Sequence, residues 1–364
     1  MKVNWSKLEI LKLSLINNIS TQNAIRIIST YSNFEDFSQS SEYSKYLGNN
    51  SNLFQNDELQ KKYDLQLEFL ESKGKRNYDF VTYYDDNYPK LLSEINEPPL
   101  VLYYFGNLNK ITEKAAAVVG TRHNTLYGKL TTENLVQFLS NNQISVISGL
   151  AYGIDTIAHL NTIRNNGHTV AVIASGLDKL SPSTSVKNAE SIVENGGAII
   201  TSFEFGRLAK PQYFLLRNRI ICGMSKTTIV VESAKKGGSL WTARFANDYN
   251  REVFAIPGNI NSEKSIGTNR LIKDNLANML IDFDDLLEHY NIQKQNSINL
   301  IENVMEFENP NWKLIYDKLS YEPIQIDTLS NDLEMTMSML LVNLLEMEFE
   351  GVIRQLPGKY YIKS

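Results

Sequence analysis

Cysteine is almost absent from this chain: Cys222 is the only one in 364 residues. An internal disulfide and a cysteine metal cluster are therefore excluded, and Cys222, inside the apolar run IICG, reads as a small buried side chain. Histidine is nearly as scarce, and His123, His159, His168 and His289 do not fall at metal-ligand spacing. No apolar run approaches the roughly 20 residues that span a bilayer. The opening MKVNWSKLEI has no apolar stretch after its lysines that would make a signal peptide, so a cytoplasmic protein is the expectation. No nucleophile-elbow serine and no carboxylate pair beside a base stands out. A non-catalytic binding protein without metal or cofactor follows as the expectation.

The length leaves room for two or three domains. A formal net charge of -5 conceals an uneven distribution: Ala115 to Leu280 holds nine lysines and eight arginines against eleven carboxylates, a net of +6. The middle is basic and the flanks are acidic, which directs an anionic ligand to the middle.

Residues 1–75 read as a small helical module, with segments such as LEILKLSLINN and NAIRIISTYS. Residues 76–109 read as a connector packed on the next domain, because Pro89, Pro98 and Pro99 forbid a long helix and VLYYF is strand-like. From about 110 to 290, the apolar runs AAAVVG, SVISG, TVAVIASG, GAIITSF, TTIVVES and EVFAIPG alternate with helix-length intervals. That alternation predicts an α/β fold, a doubly wound and mostly parallel sheet whose strands are apolar throughout because helices cover both faces. A polar linker, 291–308, precedes a last segment, 309–364, whose three helical stretches and Pro357–Gly358 hairpin have the pattern of a winged helix.

Ligands of an open parallel sheet bind beyond the carboxyl ends of its strands. Those ends carry Gly120 and Thr121 before Arg122; Ser148, Gly149, Gly153 and Asp155; Ser175 and Gly176; Gly237, Gly238 and Ser239; and Pro257 with Gly258. Glycines admit a ligand close to backbone N–H groups, and helices that start there favour phosphate. Asp155 has a plain alternative as the N-cap of the next helix, with His159 one turn further on. Neither standard nucleotide motif is present. Gly120 lacks the second glycine of G-x-G-x-x-G, and GMSKTT precedes a strand where a Walker loop must follow one. The run FLLRNRIICG is expected near Arg122 at this edge. Arg217 and Arg219 would there bind backbone phosphates, with Phe214 or Tyr213 offering a face to a base; the alternative is that they pair with Glu204 or Glu232.

Together, GTRHNTLYG, SGLAYGIDTIAH, ASGLDKLSP, FLLRNRIICGMSKTTIVVES, KKGGSLWTARFA and VFAIPGNI…SIGTNRLI resemble the DNA-processing protein family DprA, also called Smf. The likeness runs from about 79 to 282 and more weakly through the C-terminal segment. It implies an extended Rossmann-like domain with an N-terminal SAM-like helical module and a C-terminal winged helix. It also implies a homodimer that binds single-stranded DNA, protects it and loads the RecA recombinase onto it during natural transformation. By motif, the DNA contacts would be Arg122, Lys210, Phe214, Arg217, Asn218 and Arg219, with Gly237, Gly238 and Ser239 on the rim and Lys187 as a further contact. The chain departs from the family pattern at Leu215 and Ser181, and at LIKDNLA, where a glycine-alanine pair is expected. A competing reading is a nucleotide-processing enzyme of phosphoribohydrolase type, but its P-G-G-x-G-T turn is represented only by KKGGSLWT. A third is a protein-interaction scaffold with a degenerate pocket.

Two further expectations come from the C-terminal half. Residues 310–364 hold five basic and eight acidic side chains, and TMSMLLVNLLEMEFE, where a recognition helix would lie, has no Lys or Arg. The module is therefore expected to contact protein, or its own core domain, and not duplex DNA. The stretch Leu276 to Tyr290, apolar at Leu276, Met279, Leu280, Phe283, Leu286, Leu287 and Tyr290, is either core or part of a self-association surface through the end of the Rossmann-like domain.

Overall fold

The computed structural model describes residues 3–16, 19–47, 52–72, 76–108, 111, 113–180, 185–293, 307, 309–320 and 322–363. The expected linker lies mostly outside these residues, as does Ser181. The chain divides into two compact units, Met1–Gln293 and Lys294–Ser364.

The first unit opens with α1 (Lys7–Ser14), α2 (Thr21–Thr30), α3 (Phe34–Ser38), α4 (Tyr43–Leu47) and α5 (Asn52–Glu71). Ser6 and Glu9 close a capping box on α1, so its start is fixed by local sequence. Next come β1 (Tyr78–Thr82), α6 (Lys90–Ser93) and β2 (Val101–Gly106). The segment read as a connector thus supplies two strands: β1 pairs antiparallel with β2, and β2 antiparallel with β6 (Ala198–Thr201).

The core alternates strictly: β3 (Ala115–Val119), α7 (Leu126–Asn141), β4 (Ser145–Ser148), α8 (Ile154–Arg164), β5 (Thr169–Val172), α9 (Val186–Glu194), β6, α10 (Pro211–Gly223), β7 (Thr227–Val230), α11 (Gly238–Asp248), β8 (Glu252–Ala255), α12 (Ile266–Lys273) and β9 (Asn278–Met279). Among the described residues the sheet order is β1-β2-β6-β5-β4-β3-β7-β8-β9, parallel from β6 to β9. Every residue of β3 to β7 is buried, because helices cover both faces. On one face Ile220, Ile221, Ala243, Ala246 and Leu271 of α10, α11 and α12 pack on the strands; on the other lie Leu135, Leu139 and Ala158 of α7 and α8.

The order decides where a ligand can enter. From β3 the chain steps outward to β4, β5 and β6, then α10 returns it to β7 on the other flank of β3. Connections on the two sides of β3 leave in opposite directions, and a crevice opens between the carboxyl ends of β3 and β7.

Two details settle matters left open by the sequence. The turn LIKDNLA is closed by Asn275 at φ 54°, the left-handed position that glycine usually fills and asparagine fills next best. The 276–290 stretch divides: Leu280, Leu286, Leu287 and Tyr290 are core, whereas Leu276, Met279 and Ile281 stand exposed at the β9 edge.

The second unit contains α13 (Pro310–Lys318), β10 (Ile324–Gln325), α14 (Ile326–Leu333), α15 (Met337–Phe349), β11 (Ile353–Leu356) and β12 (Tyr360–Lys363). Its strands order as β10-β12-β11, all antiparallel, over a core of Ile315, Leu329, Leu340, Leu344 and Met347. The wing turns through Gly358 and Lys359, both at positive φ. This is a winged helix.

Candidate nucleic-acid interface

The crevice is built first from its loops. Thr121 N–H continues the β3–β7 ladder to the Glu232 carbonyl at 2.8 Å. The Glu232 side chain, buried, accepts from Thr125 N–H at 2.9 Å and from Thr125 Oγ1 at 2.5 Å. Gly128 carries no side chain because a Cβ there would enter the Glu232 carboxylate. Both ends of the loop are thereby pinned to β7, and Arg122 projects from it, exposed.

The loop after β4 is held from behind by Arg217 of α10. Its Nη1 donates to the carbonyls of Gly149 and, at 2.6 Å, Val172, and its Nε to Asn218 Oδ1 at 3.1 Å. A Cβ at Gly149 would collide with this guanidinium, so glycine is required there. Asp155 is not the N-cap of α8; that position is Gly153, at φ +79°. Asp155 sits inside the first turn and reaches back, accepting from Gly149 N–H at 3.1 Å. Burial pushes its carboxyl up, while Arg217 and the N–H groups of Gly149 and Ala151 oppose the shift. Burial also pulls Arg217 down to about 10, against the attraction of Asp155, which leaves it charged at neutral pH. His159, one turn along α8, is buried with Nδ1 2.7 Å from Thr169 Oγ1. Burial, then Arg217, lowers it to about 3, so it is neutral.

The third wall is the start of α11. Asn218 Nδ2 donates to the Gly238 carbonyl at 3.2 Å, and Ser239 Oγ to Ser233 Oγ at 3.0 Å. The α11 N-cap is Gly237, with no side-chain cap, and a Cβ on Gly238 would meet nothing within 4 Å. The positive end of a helix therefore opens into space. Phe214 completes the rim, with Arg122 Cζ 5.4 Å and Arg217 Cζ 5.7 Å from its ring centre. A cavity of about 300 Å³ results, lined by Gly120, Thr121, Arg122, His123, Asp155, Phe214, Arg217, Asn218, Lys236, Gly237, Gly238 and Ser239 among others.

Several expected contacts lie elsewhere. Arg219 is two residues from Arg217, hence about 200° around the helix, and donates to Tyr249 Oη at 2.7 Å and Glu97 Oε2 at 3.2 Å. It lines a separate cavity of about 360 Å³ against α2 and β2. Neither arginine pairs with Glu204 or Glu232: Glu204 is bonded to Arg207, and Glu232 to Thr125. Ser148 donates to the Val118 carbonyl at 2.6 Å, behind the crevice. Gly153 backs onto Thr121, and Ser175 and Gly176 lie in the loop after β5, where Gly176 N–H meets the Arg207 carbonyl at 2.9 Å. β5 stands two strands from β3, about 10 Å away, and neither Ser175 nor Gly176 lines the cavity. Lys187 is exposed on α9, and Lys210 is exposed at the N-cap of α10; neither lines the cavity. Sequence reasoning left Thr125 and Glu232 out of the site, although both fall within the quoted strand-end motifs. Among the described residues no group of three or more His, Cys, Asp or Glu gathers to hold a metal ion.

Residues 79–291 match the family model for DNA recombination-mediator protein A, and residues 312–359 that for the DprA winged helix domain. A relative in Synechocystis, Protein Smf, is 37% identical over 225 residues, which are 61% of this chain and 56% of that protein. The X-ray structure of DNA processing protein A from Streptococcus pneumoniae superposes with TM-score 0.66 at 31% identity, covering 79% of this chain and 98% of that one. DNA processing protein A from Helicobacter pylori, whose structure is described as showing a unique single-stranded DNA binding mode, gives TM-score 0.54 at 28% identity over 60% of this chain and 97% of that one. With more than half of its length under one family model, the chain belongs to the DNA recombination-mediator protein A family, the DprA or Smf proteins.

Proposed function

We propose that this protein binds single-stranded DNA in the β3–β7 crevice, protects incoming DNA during natural transformation and loads the RecA recombinase onto it in the cytoplasm. The observation that carries the reading is the convergence of exposed Arg122 and Lys236, the half-buried Phe214 ring and the uncapped start of α11 around one cavity. Cations and a helix N-terminus address phosphates without regard to sequence, and an aromatic face accepts any base. Arg217 and Asn218 shape the crevice from within, whereas Arg219 serves the opposite side of α10. Lys187 and Lys210 are proposed as outlying backbone contacts, since both are exposed. The alternative mononucleotide enzyme needs a carboxylate offered to its substrate; here Asp155 is turned to the Gly149 loop and Glu232 to Thr125, which favours binding over catalysis.

Dimerisation is assigned to the β9 edge, where Leu276, Met279 and Ile281 are exposed. Among the described residues no helix is long and apolar enough to cross a membrane.

The test is fluorescence anisotropy of a labelled single-stranded oligonucleotide across a salt series, with duplex as competitor, for the wild type, Arg122→Ala and Phe214→Ala. Single-strand binding that duplex displaces poorly, and that weakens in both variants while they stay folded, is expected. Equal binding by both variants would move the site away from this crevice.

A further inference from the structure

We propose that the outward face of α15 in the winged helix is a docking surface for a basic amphipathic helix of a partner protein. The helix is apolar on both sides. Inward, Leu340, Leu344 and Met347 are fully buried. Outward, Val342, Leu345 and Phe349 are 57%, 56% and 83% exposed. Spacings of three and four residues place these three on a single stripe. A helix at a protein surface ordinarily turns a polar face to water, and one apolar all round is covered by something.

Charge selects the cover. Glu346 and Glu350 flank the stripe on one side and Glu348 on the other, and α15 carries no Lys or Arg. Lys318 is already paired with Asp332 at 2.8 Å, and Lys363 lies over the Tyr316 ring at 4.3 Å. DNA and anionic membrane surfaces are repelled by this rim. A second copy of the same helix would set glutamates against glutamates. A helix with an apolar stripe and Lys or Arg on its shoulders would cover Val342, Leu345 and Phe349 and satisfy Glu346 and Glu350. Met339 beside the stripe, 44% exposed, gives the surface a pliable edge.

The test uses the full-length protein and a fluorescein-labelled peptide of about 18 residues, five helical turns, with leucines at i, i+3, i+4 and i+7 and lysines elsewhere. A scrambled peptide of the same composition and an amphipathic peptide with glutamates in place of lysines are the controls. Saturable binding of the basic amphipathic peptide alone, weakened about ten-fold or more by Leu345→Ser or Phe349→Ser, is the expected result. Glu346→Lys with Glu350→Lys, both exposed, should abolish that binding and admit the acidic peptide. Unchanged single-strand DNA affinity in all variants would show that the first unit is intact. The proposal is overturned if no peptide binds, or if the scrambled or acidic peptide binds the wild type equally. It is likewise overturned if charge reversal has no effect, or if Phe349→Ser turns a dimer into a monomer by sedimentation.

Discussion

Replacing Arg217 with methionine separates a group that holds the crevice together from one that holds DNA. Methionine keeps the apolar stem and removes the guanidinium. The carbonyls of Gly149 and Val172 then lose this donor, and Asp155 loses the cation that opposes the effect of its burial. Each orphaned buried carbonyl costs about 1–3 kcal/mol. Asp155 can answer by taking up a proton, so the two carbonyls set the loss, and a net destabilisation of about 2–6 kcal/mol is expected. For a unit of this size that lowers Tm by roughly 10 °C. Urea unfolding followed by tryptophan fluorescence measures it. Adding Asp155→Asn should cost less than the sum of the two single changes, by 1 kcal/mol or so. Arg122→Ala supplies the contrast: exposed, it should change stability by less than about 0.5 kcal/mol while reducing the salt slope of oligonucleotide binding by about 0.7. An Arg217→Met protein with wild-type unfolding and no DNA binding would refute this account and place the guanidinium on the ligand.

Arg219→Ala should leave single-strand affinity within about two-fold of wild type, because the side chain is spent on Tyr249 and Glu97 across the helix; a loss as large as that of Arg122→Ala would contradict the placement. Gly149→Ala forces a methyl into the Arg217 guanidinium and should destabilise by about 1–3 kcal/mol, read by urea midpoint. His159 gives a pH dependence whose sign is fixed: its folded value is depressed from 6.5 to about 3. The unfolded chain therefore binds the proton first, and stability present above pH 6.5 is lost as pH falls toward 3. Asp155, held above its ordinary range by burial, works in the opposite direction over its own titration. His159→Asn should flatten the fall of Tm between pH 6.5 and 4; an unchanged profile would assign the fall to other groups.

Much of the molecule was legible in the residue order. The runs AAAVVG to EVFAIPG became β3 to β8 because strands covered on both faces are mostly apolar, their few buried Ser and Thr being small enough to satisfy on neighbouring backbone, as Ser148 does on the Val118 carbonyl. GTR and KKGGS were found where a strand ends and a helix begins because glycine and cation placement there is a local signal, whereas RNR lies inside α10. The winged helix showed itself in helix spacing and the Pro357–Gly358 turn, and the acidic character of its third helix needed only counting. The strands β1 and β2 were not legible as part of the sheet, since an antiparallel partner such as β6 lies about 100 residues away in sequence.

What the chain order could not decide was which of its arginines meet solvent. The residue order of FLLRNRIICG pointed both Arg217 and Arg219 at the crevice; in α10 they stand two residues apart, and helical geometry sends them to different sides. Only the packing of α10 over the sheet shows that one side holds the Gly149 and Val172 carbonyls, and the other Tyr249 and Glu97. Strand order has the same status. Sequence orders β3 to β9 along the chain, but the return of α10 to the far flank of β3 opens the crevice at the β3–β7 pair and leaves Ser175 and Gly176 outside it. Local sequence fixes conformation through short-range hydrogen bonds and apolar spacing; exposure and juxtaposition depend on which distant surfaces are buried together, and that is decided only when the chain has folded.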